Sequence, residues 1–250
     1  MRLLLRSNTG KFTLTKDLIG DDSIPPYTIL SHTWGPDEEE INTYYIKEEN
    51  DAEISRSINS MFRWYRNATR CYVYLSDESD FWKSRWFTRG WTLQKLLAPA
   101  SVEFFSRERQ RLGDKSSLRQ QIYEITNISH AALQGYPLSQ SSVEERLRWT
   151  EHRRTKLEED KAYSLLGIFD VYILPTYGEG MASALARLLD GFHKVQKCIK
   201  DLRLTDPRDD KNRIENTKGG LLEGSYRWIL GNSAFRRWRD DQQSRLQALL

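Results

Sequence analysis

Cysteine is scarce in this chain: Cys71 and Cys198 are the two among 250 residues. They lie far apart and without metal-ligand spacing, which excludes a disulfide framework and a zinc site and fits a reducing intracellular compartment. Long apolar runs are missing as well. The opening MRLLLRSNTGK has a run of three leucines, too short for a signal peptide, and nothing approaches the roughly 20 apolar residues of a membrane span. Nor does one sign of charge dominate. With 38 Lys and Arg against 35 Asp and Glu, the net charge is +3, so the clustered basic excess of a dedicated nucleic-acid surface is absent. Arg63, Arg66, Arg85, Arg89, Arg236, Arg237 and Arg239 fall near aromatics and read as solvated faces or stacking partners. There is no internal repeat and no Walker-type phosphate loop. Gly178-Glu179-Gly180 does not substitute for one, because no strand leads tightly into it and no Lys-Ser/Thr follows. The expectation is a soluble, cytoplasmic, globular protein that uses neither nucleic acid nor membrane.

What is present is tryptophan, concentrated in one stretch. Residues 84–106, SRWFTRGWTLQKLLAPASVEFFS, hold Trp86 and Trp91 with Trp82 just before them, in an apolar run broken by Arg85 and Arg89. Residues 92–97 are helix-compatible, Pro99 stops them, and residues 101–106 alternate and are rich in β formers, giving helix, turn, strand. Trp91 and Leu93 are expected to seat against a sheet, with Lys95, one turn after Trp91, on the same face. The plain reading is a well-packed αβ corner whose tryptophans bury area.

The rest of the chain supports an α/β class. Residues 27–31 read as a buried strand that ends in a loop with His32, Trp34 and Gly35. In an open α/β sheet such loops form the ligand crevice, so Ser31, His32 and Trp34 are candidate binding residues, although a lone loop histidine is more often structural. Residues 51–69 form a helix with Ile54, Ile58, Met61, Phe62 and Tyr65 on one stripe and Arg56, Arg63 and Arg66 opposite. Residues 71–75 are a buried strand. This alternation up to residue 106 predicts a mostly parallel sheet. Helices follow: one through Leu118, Ile122 and Ile125, one from Val143 to Leu147, one along residues 158–171, and the longest over residues 182–202. Residues 205–218 read as a charged linker, and residues 221–238 as an aromatic, amphipathic helix.

ILSHTWG at 29–35, INSMFRWYRNATRCYVYLSD at 58–77, the 84–106 stretch, and KAYSLLGIFDV with YGEG within 161–180 closely resemble the heterokaryon incompatibility (HET) domain of filamentous fungi. The likeness covers residues 1–190, an α/β core over 1–106 and a helical part over 107–190. Residues 191–250 resemble the helical connector that precedes a NACHT domain in HET-NACHT-repeat proteins, with the NACHT domain itself absent. The resemblance implies non-self recognition and cell-death signalling, self-association, and a NACHT or repeat-protein partner. The HET domain in turn looks distantly like the Toll/interleukin-1 receptor (TIR) domain, hence a flavodoxin-like sheet. Some TIR domains cleave NAD with a glutamate in a W-x-L-x-E-L helix. W-T-L-Q-K-L at 91–96 lies on that motif, and NAD enters as a substrate by this likeness; no resident cofactor and no metal are implied. Ser31, His32, Trp34, Arg89 and Trp91 would then line the nucleotide cleft, stacking the base and contacting phosphate.

Two departures stand out. Lys95 occupies the position of the expected glutamate, and an ammonium opposes the positive charge that develops on the ribose as nicotinamide leaves. The residues between 31 and 43 are also few for a parallel crossover, so either the sheet has lost a helix-strand segment that the family has there, or residues 44–46 pair differently, as an antiparallel edge. Three functions follow: an incompatibility protein with impaired catalysis and weak or absent killing, an active NAD glycohydrolase, or a degenerate remnant or truncated gene model without autonomous activity.

Overall fold

The structure, a computed structural model, describes residues 4–6, 11–15, 24–32, 51–75, 81–204, 231–233 and 236. Contacts divide the chain into two compact units, Met1–Val195 and Gln196–Leu250.

In the first unit a short antiparallel pair, β1 (Leu4–Arg6) and β2 (Phe12–Leu14), precedes a four-stranded sheet. The sheet runs β3 (Thr28–His32), β4 (Arg70–Tyr74), β5 (Val102–Phe105), β6 (Arg111–Asp114) in chain order. The first three strands are parallel and β6 is antiparallel to β5. The expected mostly parallel α/β sheet is present. β4 and β5 are the two inner strands, and Cys71 and Val73 of β4, Leu75 just beyond, and Val102 and Phe104 of β5 are fully buried.

α1 (Asp51–Asn67) connects β3 to β4. Its apolar residues recur at helical spacing: Ile58 and Tyr65 are buried, Ile54, Met61 and Phe62 pack against the core, and Arg56, Arg63 and Arg66 face water. Two 3-10 turns, Phe81–Lys83 and Arg85–Thr88, and α2 (Thr92–Leu97) connect β4 to β5. All six residues of α2 are buried. It is therefore enclosed on every side, where the sequence led us to expect one sheet-facing stripe.

Among the described residues six α-helices follow: α3 (Arg119–Thr126), α4 (His130–Leu133), α5 (Val143–Arg148), α6 (Asp160–Tyr163), α7 (Leu166–Phe169) and α8 (Met181–Leu204). Ser142 caps α5, its hydroxyl accepting from Glu145 N at 3.1 Å, with Glu144 and Glu145 in the first turn, where acids suit the helix dipole. The helix expected along residues 158–171 is instead two short ones. Ser164 explains the break: its carbonyl accepts from Gln94 Nε2 at 2.7 Å, while Ile168 N turns to Leu165 O. A side chain from α2 has taken the acceptor that a continuous helix would use. α1 and α7 touch at Gly167, where an added Cβ would lie 2.1 Å from Phe62 Cβ. The expected linker at 205–218 lies outside the described residues. So does the aromatic helix at 221–238, apart from a turn in which Arg236 N donates to Asn232 O at 3.0 Å.

Candidate functional site

Ser31 lies near the end of β3, opposite Val73, with its side chain turned into the core. Trp86 meets it there. The turn that carries Trp86 is set by Ser84, whose hydroxyl accepts from Trp86 N at 3.2 Å. The fully buried indole packs edge-on against Phe87 and Phe104, with centroids at 5.1 and 5.8 Å. Its N–H then donates to Ser31 Oγ at 2.9 Å. A buried indole N–H needs such a partner.

Tyr65 and Lys95 complete this corner. Tyr65 donates its hydroxyl to Leu30 O at 3.3 Å and is hydrogen-bonded to Ser31. Lys95 Nζ lies 5.7 Å from the centroid of the Tyr65 ring, within cation–π range. Burial pushes the Lys95 ammonium down to about 8, and the Arg89 charge acts in the same direction, while Cys71 opposes both. Burial likewise pushes the Cys71 thiol up to about 12, with Lys95 and Lys115 pulling the other way. No carboxylate of the described residues is paired with Lys95.

Carbonyl groups replace carboxylates as partners of the neighbouring cations. Lys115, buried and pushed down to about 8, donates to Pro99 O at 2.6 Å and Leu96 O at 3.3 Å, where α2 ends. Cations suit that helix end. Arg153 is buried and pushed by burial down to about 9. It donates from Nη1 to Arg89 O at 2.8 Å and to Thr92 Oγ1 at 2.9 Å, and from Nε to Trp149 O at 3.1 Å. These bonds brace the turn between Trp86 and α2.

Trp91 is held elsewhere. It stands half-buried at the N-cap of α2 and hydrogen-bonds to the carboxyl of Asp160, which also accepts from Tyr177 at 2.9 Å. The structure therefore brings Ser31 and Lys95 into one corner through Tyr65 and Trp86, and sends Trp91 to the opposite partner set on α6. Arg89 is half-buried and its backbone bridges to Arg154. His32 closes β3 opposite Tyr74, and Trp34 lies outside the described residues. Sequence reasoning did not single out Trp86, Tyr65, Cys71, Arg153 or Asp160 as site residues. Tryptophan density was a signal for Trp86, whereas nothing local marks Arg153.

This corner offers a buried cation, two hydroxyls and an indole N–H. Lys95 stands where the TIR-like motif would have a carboxylate, and the Arg89 charge disfavours its ammonium. Among the described residues no group of three His, Cys, Asp or Glu is placed to hold a metal ion. Among them no helix is long and apolar enough to cross a membrane.

No family model matches the chain, and no solved structure matches it. Among curated proteins, it is 47% identical to the vegetative incompatibility protein HET-E-1 of Podospora anserina over 296 residues, which takes in 98% of this chain and 22% of that protein. The chain is a relative of part of HET-E-1. It spans about a fifth of the length of the curated relative it matches, 22%. The alignment is longer than the chain: 98% of 250 residues fill 296 positions, so HET-E-1 carries about 50 residues in this span that the present chain lacks. The TIR likeness rests on the 91–96 motif alone.

Proposed function

We propose that this HET-type chain acts in fungal vegetative incompatibility, signalling cell death from the cytoplasm by self-association and not by NAD cleavage. The observation that supports the role is the 47% identity to HET-E-1 over nearly the whole chain. The observation that supports impaired chemistry is Lys95, a buried ammonium beside Arg89 where the TIR-like mechanism needs a carboxylate. A NACHT or repeat-protein partner fits the same reading, as the sensor to which this module responds.

The test is expression in a filamentous fungal host at verified protein levels, with NAD content followed alongside growth. A weak restriction of growth at unchanged NAD is the expected result. Unaffected growth would overturn the signalling role. Nicotinamide release by the purified protein at saturating NAD would overturn the impairment, with Lys95→Glu as the comparison. In light scattering, a monomer at every concentration would contradict self-association.

A further inference from the structure

β3, β4 and β5 stand side by side in chain order, so right-handed crossovers between them advance in one direction and lie on one face of the sheet. The contacts agree. Tyr65 of α1 and Trp86 before α2 both meet Ser31, and Lys95 of α2 lies over the Tyr65 ring. Ser31, Cys71, Val73, Val102 and Phe104 point to that side and are buried.

The alternate residues of the same strands form the other face. There Leu30 of β3 is paired with Tyr72 of β4, and Tyr74 of β4 with Phe105 of β5. None of these four belongs to the hydrophobic core. Leu30 is 61% exposed, the three aromatics are partly exposed, and the rings of Tyr72 and Phe105 meet edge-on at 5.9 Å. Parallel strands are ordinarily covered on both faces and read as continuous apolar runs. β4 reads Arg-Cys-Tyr-Val-Tyr instead, the alternation of a sheet covered on one face, yet two of its three outer residues are aromatic. An apolar patch of this kind marks an interaction surface.

The charges on this face point to its occupant. Those that β4, β5 and β6 place there are Arg70, Glu103, Arg111 and Asp114. Arg70 donates to Glu103 Oε1 at 2.9 Å, and Arg111 donates to Glu103 Oε2 at 3.1 Å and to Asp114 Oδ2 at 3.0 Å. Two cations thus balance two carboxylates beside the apolar residues. A balanced set gives no advantage to a strongly acidic or strongly basic partner. A second copy meets it with both signs in reach and no excess of either.

We propose that two copies of the chain pack through this face, sheet against sheet about a two-fold axis, with Leu30, Tyr72, Tyr74 and Phe105 at the apolar centre. Facing sheets stand about 10 Å apart with their inner side chains interdigitated, and the second copy supplies the layer that covers the open side. Such an interface uses the same patch on both copies and closes at two. The inference rests on the self-association in the proposed function and names the surface that carries it.

Sedimentation equilibrium on the purified full chain tests the interface, and a monomer–dimer equilibrium is expected. Leu30→Glu sets a carboxylate from each copy into the apolar centre, and Tyr72→Ser removes a ring from it. Each is expected to raise the dimer dissociation constant about tenfold or more. A control chain carrying Tyr172→Ser and Leu174→Ser, two exposed positions in the connection between α7 and α8, should dimerise as the wild type does. Dimerisation that survives Leu30→Glu and Tyr72→Ser, or that weakens equally in the control, would overturn this face and leave self-association through another surface standing. A wild-type chain that stays monomeric would overturn both, and species that grow beyond the dimer would overturn the two-fold closure. Should Leu30→Glu not fold, Tyr72→Ser carries the test alone, and an unchanged dissociation constant again overturns the face. Growth is scored separately, so a face-dependent dimer with no effect on growth would sink the signalling role and not the interface.

Discussion

The indole N–H of Trp86 and the hydroxyl of Ser31, separated by 55 residues of chain, meet at 2.9 Å with both side chains out of contact with water. This bond ties the first parallel strand to the turn that launches α2. Trp86→Phe removes the donor and leaves a partly filled space, and is expected to cost about 2–4 kcal/mol. Ser31→Ala leaves the N–H buried without its acceptor, at about 1–3 kcal/mol. Urea unfolding of the two variants and their double mutant should show strong non-additivity, because both lose the same bond.

Lys95 is a buried charge whose neighbours do not neutralise it. Lys95→Met keeps most of the volume and removes the charge, so the variant should be more stable at neutral pH by about 3 kcal/mol, at about 1.4 kcal/mol for each pH unit between 10.5 and about 8. A denaturation midpoint equal to or below wild type would show that the ammonium contributes bonds that methionine cannot replace.

Stability should also depend on pH in a defined direction. Lys95 and Lys115 titrate near 8 when folded and near 10.5 when unfolded. Between those values the unfolded chain holds more protons, so stability rises with pH. Cys71, raised from 9.0 to about 12, acts with the opposite sign above 9. The urea midpoint should therefore climb from pH 7 to pH 9, by about 1 kcal/mol for each lysine, and climb about half as steeply from pH 9 towards 10.5, where Cys71 offsets one of the two lysines. Lys95→Met should remove about half of that climb.

Gly167 is a helical glycine at which alanine is the wrong replacement. In an open helix the change would stabilise by about 1 kcal/mol. Here the new Cβ would stand 2.1 Å from Phe62 Cβ and 2.4 Å from its Cγ, so Gly167→Ala is expected to destabilise by about 3 kcal/mol or more. Calorimetry should show a lowered Tm, partly restored when Phe62 is shortened to leucine in the same chain.

Residues whose neighbours in sequence are also their neighbours in space were the legible ones. The stripe of α1 from Ile54 to Tyr65, the run at 71–75 and the helix at 92–97 all follow from periodicity and stop signals; the last has the expected bounds and the other two differ by one or two residues. β6 was not expected, because Arg-Leu-Gly-Asp carries few β formers and its pairing depends on the hairpin through Arg109, at φ 64°, and on Gly113. The break between α6 and α7 was hidden for a related reason: it is imposed by Gln94, 70 residues away. The gathering of Ser31, Tyr65, Trp86 and Lys95 has the same character. Each was visible as a buried or aromatic position, but their meeting depends on how α1 and α2 pack against β3.

The contact at Gly167 bears on how the protein can be divided. The helix joining the first two parallel strands rests there on a backbone with no side chain between, and Asn59 of the same helix holds both backbone groups of Ile173. A fragment cut after residue 106 would strip that helix of its outer neighbour and leave the Phe62 ring facing solvent. The sheet and the helices that follow it are one inseparable piece, and a minimal version of this module has to reach at least residue 173.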